Sequence, residues 1–168
     1  LKEIDQKDYT KKQKKILDDV KKYYENKSND FEYLAAFITE KIITDEWNNY
    51  RTGWICKGVG DGGIDFVGKI KISKGLSLVD IVVLGQAKCI KPETSVSGKD
   101  ISRTVARLKR GWIGSVVTTG IFSKKVQEEI YNDKYPLMLI NGKLIADTIL
   151  KFMHENKIKT VKLFLRKI

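Results

Sequence analysis

Two stretches of the chain alternate apolar and polar positions at the two-residue period of a half-buried strand. In residues 64–72, Ile64, Phe66, Ile70 and Ile72 share one face while Asp65, Lys69 and Lys71 share the other. The second stretch runs from Val79 to Lys88. There Val82 and Leu84 are apolar on the face that also carries Gln86 and Lys88, which predicts a central strand covered on both sides. A turn around Ser73-Lys74-Gly75 joins the two into a hairpin. Further strands are predicted near 51–58, over the β-branched run 115–119, from Leu137 to Ile140, and near 160–165. Helical spacing predicts a helix over about 11–26, with Ile16, Leu17, Val20, Tyr23 and Tyr24 on one face. After a break and N-cap at Asn29-Asp30, Phe31, Leu34, Ala35, Ile38, Ile42 and Ile43 mark a second helix to about Thr44. Helices are also predicted over 98–111, over 123–134 behind a Ser123 cap, and over 143–155 with Leu144, Ile145, Thr148, Ile149, Phe152 and Met153 inward. This succession is a mixed α/β sandwich, and no segment repeats another.

Composition narrows the class. The 168 residues are 42% apolar, enough for one domain with a core. Lys and Arg number 32 against 21 Asp and Glu, a net charge of 32 − 21 = +11. Such a balance points to polyanionic partners, nucleic acid first and an anionic membrane second, unless it reflects only a lysine-rich proteome. No apolar run approaches the roughly 20 residues that span a bilayer, and the polar, lysine-rich N-terminus is no signal peptide. A cytoplasmic location is the resulting expectation. Cys56 and Cys89 are too few for a disulfide framework and too isolated for a zinc site. The single histidine, His154, excludes a Ser-His-Asp arrangement and a histidine metal cluster, and reads as a surface or helix-end residue. Residues 1–28 are charge-rich and read as a helical linker or a brace packed on the remainder, 29–168. A chain that starts on Leu1 rather than methionine suggests a piece of a longer polypeptide.

The chemistry concentrates at one end of the hairpin. Folding about the turn brings Asp65 opposite residues 84–86, so a carboxylate, the Gln86 amide and the Lys88 ammonium crowd a strand end. A plain salt bridge between Asp65 and Lys88 across the sheet is the alternative reading. The set resembles the PD-(D/E)XK nuclease motif in the variant with glutamine before x-Lys. Gly60-Asp61-Gly62-Gly63-Ile64-Asp65 followed by Gly85-Gln86-Ala87-Lys88 looks like the Mrr-like restriction endonuclease family. So do Val116-Val117-Thr118-Thr119-Gly120-Ile121-Phe122-Ser123 and Leu139-Ile140-Asn141-Gly142-Lys143-Leu144. With Ala106-Arg107-Leu108-Lys109-Arg110-Gly111-Trp112, the pattern is closest to modification-dependent restriction enzymes of the AspBHI kind, over roughly residues 31–150.

That resemblance implies a PD-(D/E)XK restriction-endonuclease-like three-layer sandwich, a central mixed β-sheet flanked by helices, with residues 29–168 as the endonuclease catalytic domain. It implies a divalent metal, Mg2+ with Mn2+ as a possible substitute. Asp65 would be the main ligand, joined by the Gln86 side-chain oxygen and the Ala87 carbonyl, since hard oxygen donors suit a hard cation. Lys88 would hold or help deprotonate the attacking water and offset charge on the phosphorane. Gln86 removes one negative ligand relative to the commoner motif. Glu32 on the first long helix, where the family often has an acid, then Asp61 and Glu40, are the candidates for a compensating carboxylate. Glu32 as a solvated helix residue and Asp61 as a turn former are the competing readings.

Gly58-x-Gly60-x-x-Gly63, with Asp80 downstream, matches a dinucleotide-binding fingerprint. That fingerprint needs a helix directly after the glycines, whereas these lead into a strand pattern, so nucleotide binding is discarded. Lys99, Arg103, Arg107 and Arg110 recur at steps of four, four and three, a basic stripe opposite Ile101, Val105, Leu108 and Trp112. Such a stripe can track DNA phosphates or simply face solvent. Thr118 and Thr119 are candidate hydroxyl donors to phosphate at a strand end. Ser123 reads as a helix cap, and Trp54 and Trp112 as core aromatics. The expected function is a metal-dependent DNA endonuclease domain, the cleavage module of a restriction-type, modification-dependent enzyme. Expected partners are double-stranded DNA, a homodimeric or larger assembly on it, and a recognition domain outside this chain. A structure-specific nuclease of the junction-resolvase type and a non-catalytic DNA-binding subunit are the alternatives.

Overall fold

A computed structural model describes residues 2–44, 49–56, 63–72 and 79–168. The elements run α1 (Glu3–Lys7), α2 (Lys11–Tyr24), a 3-10 turn (Ser28–Asp30), α3 (Phe31–Ile43), β1 (Asn49–Ile55), β2 (Phe66–Ile72), β3 (Val79–Lys88), β4 (Ser95–Val96) and α4 (Gly98–Val105). They continue with β5 (Ile113–Thr118), β6 (Ile121–Phe122), α5 (Lys124–Asn132), β7 (Leu137–Ile140), α6 (Gly142–Glu155) and α7 (Val161–Leu165). The main sheet has the order β1-β2-β3-β5-β7. Its first three strands are antiparallel, while β5 and β7 run parallel to β3, so β3 is the central strand as its pattern predicts.

Helices cover both faces, which makes three layers. On one side α2, α3, α6 and α7 enclose a core that includes Leu17, Val20, Leu34, Ile38, Phe66, Val117, Ile145, Ile149 and Phe164. On the other, Ile101 of α4 and Val126 and Ile130 of α5 pack on Val116 and Phe122. The helix α2 starts at a capping box in which Thr10 and Gln13 bond each other's backbone. Its Ile16, Leu17, Val20 and Tyr24 are buried in the same core as α6 and α7.

The hairpin register is locked by an aromatic ring over a glycine. Phe66 pairs directly with Gly85, and a Cβ on Gly85 would lie 2.0 Å from the Phe66 ring. Only glycine leaves room for the ring to lie flat across the strand, and that pairing sets Asp65 beside the end of β3.

Five readings of the pattern change, the first being Leu144, predicted inward but exposed on α6. The strand predicted near 160–165 is the helix α7: Thr160 caps it through the Leu163 N–H, and Val161, Phe164 and Leu165 bury at spacings of three and one. The helix predicted over 98–111 stops at Val105, followed by turns closed by Arg107 N–H to Thr104 O and Leu108 N–H to Val105 O. Asp30 precedes α3 but makes no side-chain cap bond, the 3-10 turn delivering the chain instead. Trp54 is 61% exposed on the edge strand β1 rather than in the core.

The short α1 and the two-stranded β4-β6 sheet escape the period-based reading. Gln6 on α1 is buried, donates to Phe122 O at 2.8 Å and accepts from Phe122 N–H at 3.0 Å. Its amide thus stands where a neighbouring strand's peptide would. The turn Ser73-Lys74-Gly75 and Gly58, Gly60 and Asp61 lie outside the described residues. After Gly63 the chain enters β2, a strand, as the rejection of the dinucleotide fingerprint requires.

Candidate active site

Asp65 sits at the point where β2 begins, held by backbone bonds on both sides: Cys56 N–H donates to its carbonyl at 2.8 Å, and its own N–H donates to Gly85 O at 2.8 Å. Beyond Gly85 the carboxylate takes over from the ladder, Oδ2 accepting the Ala87 N–H at 2.6 Å. Thr119 N–H reaches Lys88 O on the β5 side at 3.2 Å. Successive residues of a strand aim their peptide groups to opposite edges, so the Ala87 N–H and C=O both face the Asp65 side. The Asp65 carboxylate and the Ala87 carbonyl therefore share one strand edge.

Gln86 and Lys88 project together toward α4. Gln86 is 1% exposed, and its Oε1 accepts from the Thr104 hydroxyl at 3.2 Å. Its Nε2 faces Gly63, where a Cβ would lie 3.4 Å away; Gly63 has φ +84°, the left-handed region glycine favours. In this state the amide offers nitrogen, not oxygen, to the loop that carries Asp65. A hydroxyl both donates and accepts, so a half-turn of the amide keeps the Thr104 bond and presents Oε1 instead.

Lys88 Nζ lies 3.2 Å from Asp100 Oδ1 on α4, so its ion pair runs to the helix layer. Asp100 is tied further by Ser97, whose hydroxyl donates to Oδ2 at 2.8 Å and accepts the Asp100 N–H at 3.3 Å. Burial by itself would raise the Asp100 carboxyl. Hydrogen bonds from Ser97 and Lys88, with the Lys88 and Arg103 charges, outweigh burial and hold it below the ordinary carboxylate range.

Sequence reasoning left Asp100 and Thr104 out. Their signal was the four-residue spacing on the inner side of the helix after β3, masked because Asp100 also reads as a first-turn acid and Thr104 as a filler of the apolar face.

Thr118 and Thr119 are both fully buried. Thr118 Oγ1 donates to Lys88 O at 3.0 Å and accepts the Gly120 N–H at 3.0 Å. Thr119 Oγ1 donates to Ile90 O at 2.5 Å and accepts the Ile90 N–H at 2.8 Å. These hydroxyls anchor the segment after Lys88 from within, and neither is exposed to solvent. Ser123 caps α5 through the Val126 N–H.

Lys99 and Arg103 are exposed on α4, whereas Arg107 and Arg110 are exposed but lie past its end, so the four do not form one helical stripe. Trp112 is half-buried with Lys109 Nζ 5.2 Å over its ring.

Glu32 is half-buried in the first turn of α3. At that end of α3, Tyr24 stacks edge-on against Phe31 at 5.6 Å, in the core cluster against which Cys89, the residue after β3, also packs. Glu40 lies at the far end, beside Lys41 and next to Thr39, which bonds Ser115. Among the described residues no three His, Cys, Asp or Glu side chains gather as a metal cluster. The donors at the β3 end are instead one carboxylate, one peptide carbonyl and one amide, all hard oxygen once the Gln86 amide turns, and this set fits a hard divalent cation.

A model of the restriction endonuclease family, the Mrr catalytic domain, matches residues 23–149. The chain belongs to this family. Restriction endonuclease architecture is also what the solved structures show. The chain is similar to the MspJI restriction endonuclease, solved in complex with a 27-mer oligonucleotide, at 40% identity and a TM-score of 0.84. It is similar as well to the DNA modification-dependent restriction endonuclease AspBHI, at 21% identity and a TM-score of 0.84, a likeness of fold. The matches cover 90% and 99% of this chain but only 34% of the MspJI chain and 42% of the AspBHI chain. No curated protein matches. The expected three-layer fold and restriction endonuclease catalytic domain are therefore borne out. No helix among the described residues is long and apolar enough to cross a membrane.

Proposed function

We propose that this domain is a metal-dependent DNA endonuclease that hydrolyses phosphodiester bonds, the cleavage module of a modification-dependent restriction enzyme. The observation that carries the proposal is the convergence of the Asp65 carboxylate, the Ala87 peptide and the Gln86 and Lys88 side chains at the end of the central strand. Family membership and likeness to an enzyme solved on an oligonucleotide support DNA as the substrate.

Asp65, the Ala87 carbonyl and the turned Gln86 amide would hold Mg2+ or Mn2+, with Glu32 as the supplementary carboxylate. Bound there, the cation would supply Lewis acidity toward the scissile phosphate. Lys88 orients the attacking water and offsets the charge that grows on phosphorus. Thr118 and the Thr119 N–H fix the Lys88 backbone, so the ammonium swings from a stationary root. Lys99, Arg103, Arg107 and Arg110 bind the DNA backbone by charge, leaving base and modification readout to a part of the protein outside this chain. Two strands need two such centres, which implies at least a homodimer on DNA.

The test is cleavage by the intact protein, with Mg2+ or Mn2+, of modified duplex, unmodified duplex and four-way branched DNA. Cuts in modified duplex that disappear in Lys88→Ala while DNA binding persists support the proposal. Preference for the branched substrate would indicate a resolvase, and binding without cuts a non-catalytic subunit.

A further inference from the structure

The helix α4 holds both halves of the Gln-x-Lys pair. A four-residue step along a helix advances about 6 Å, and a two-residue step along a strand about 6.6 Å. Thr104 and Asp100, four apart on α4, therefore match Gln86 and Lys88, two apart on β3, with the elements running in opposite directions. Both contacts measure 3.2 Å. Asp100 has no slack: one carboxylate oxygen takes the Ser97 hydroxyl while the other faces the Lys88 ammonium. Lys99 and Arg103 flank it on the exposed side of the same two turns.

We propose that Asp100 is the positioning residue of Lys88, fixing the ammonium at the end of β3 and tying its place to the helix that presents Lys99 and Arg103 to a polyanion. Seating α4 on a nucleic-acid backbone and placing Lys88 are then a single event, because a rigid two-turn helix carries both sets of groups. The inference rests on the nuclease reading above, and goes beyond it by assigning a function to a carboxylate outside the proposed ligand set, bound to Lys88 and Ser97.

Asp100→Asn tests it. Asparagine keeps an oxygen for the Ser97 hydroxyl, so the first turn of α4 survives while the charge facing Lys88 is lost. On the intact protein with Mg2+, single-turnover cleavage should fall about 10- to 100-fold, the range seen when an outer partner of a reacting group is removed. DNA affinity should stay near the parent's, stability should fall only by the small contribution of the part-exposed ion pair, and Asp100→Glu, which restores the charge, should recover part of the rate. If Asp100→Asn does not fold, Asp100→Ser takes its place, with the same expectations.

Cleavage at the parental rate in the uncharged variant overturns the proposal. So does a loss of rate matched by an equal loss of DNA affinity, which marks a purely structural role. Lys88→Ala separates the two layers of argument: if it leaves cleavage intact, the nuclease reading fails and this inference with it. If it abolishes cleavage while Asp100→Asn does not, only the positioning role is lost. A parent protein that cuts no DNA overturns both.

Discussion

The Asp65 carboxylate accepts the Ala87 amide at 2.6 Å, so the candidate metal ligand is also the group that finishes the ladder between β2 and β3. Charge and architecture can be separated at this position. Asp65→Asn retains an oxygen for the Ala87 N–H but removes the negative charge a divalent cation needs. It should leave the melting temperature close to the parent's. Cleavage should drop by at least about 10²-fold, and the calorimetric heat of Mn2+ binding should vanish along with it. Undiminished Mn2+ binding in the variant would remove Asp65 from the ligand set.

Gly85→Ala attacks the register rather than the chemistry. Its methyl would enter the space of the Phe66 ring, 2.0 Å from the nearest carbon, so β2 and β3 must part or the ring must leave the core. Overpacking of this kind costs about 1–3 kcal/mol or more. Urea unfolding should report that loss, and Phe66→Leu in the same chain should recover part of it because the two residues interact. Additive losses would show that the ring does not lie across the glycine.

The exposed cations and the buried threonines separate by salt dependence. Lys99→Ala and Arg103→Ala should each lower the slope of log affinity against log salt by about 1, as each lost phosphate contact does. Thr118→Ala should leave that slope unchanged, since its hydroxyl is buried against Lys88 O and Gly120 N–H. A reduced slope for Thr118→Ala would return that residue to the DNA interface.

Acid should weaken the Lys88–Asp100 pair. Asp100 is held below its ordinary value of 3.8, so the unfolded chain takes up its proton at higher pH than the folded chain. The resulting stability is fully present above about pH 4 and is lost as pH falls from there through the lower folded value. Urea midpoints of the parent and Asp100→Asn should accordingly differ at neutral pH and converge as pH falls below the lowered folded value. A constant gap across that range would place the stabilisation elsewhere.

What the sequence by itself determined was carried by period and by short-range spacing. The alternation from Ile64 to Ile72 and the mixed apolar faces of Val79–Lys88 marked a hairpin with a central strand, because side-chain direction in a strand depends only on parity. Asp65, Gln86 and Lys88 were legible for the same reason, being close in register once the hairpin closes. Features set by contacts between distant segments were not legible. Gln6 closes on Phe122 across 116 residues, and Asp100 and Thr104 meet the site only because α4 packs against β3 in the opposite direction. Thr118 and Thr119 look like surface donors until β5 is seen buried between β3 and β7. Local periodicity states which face of an element is apolar; which element covers that face, and which polar groups meet across the seam, is decided by packing.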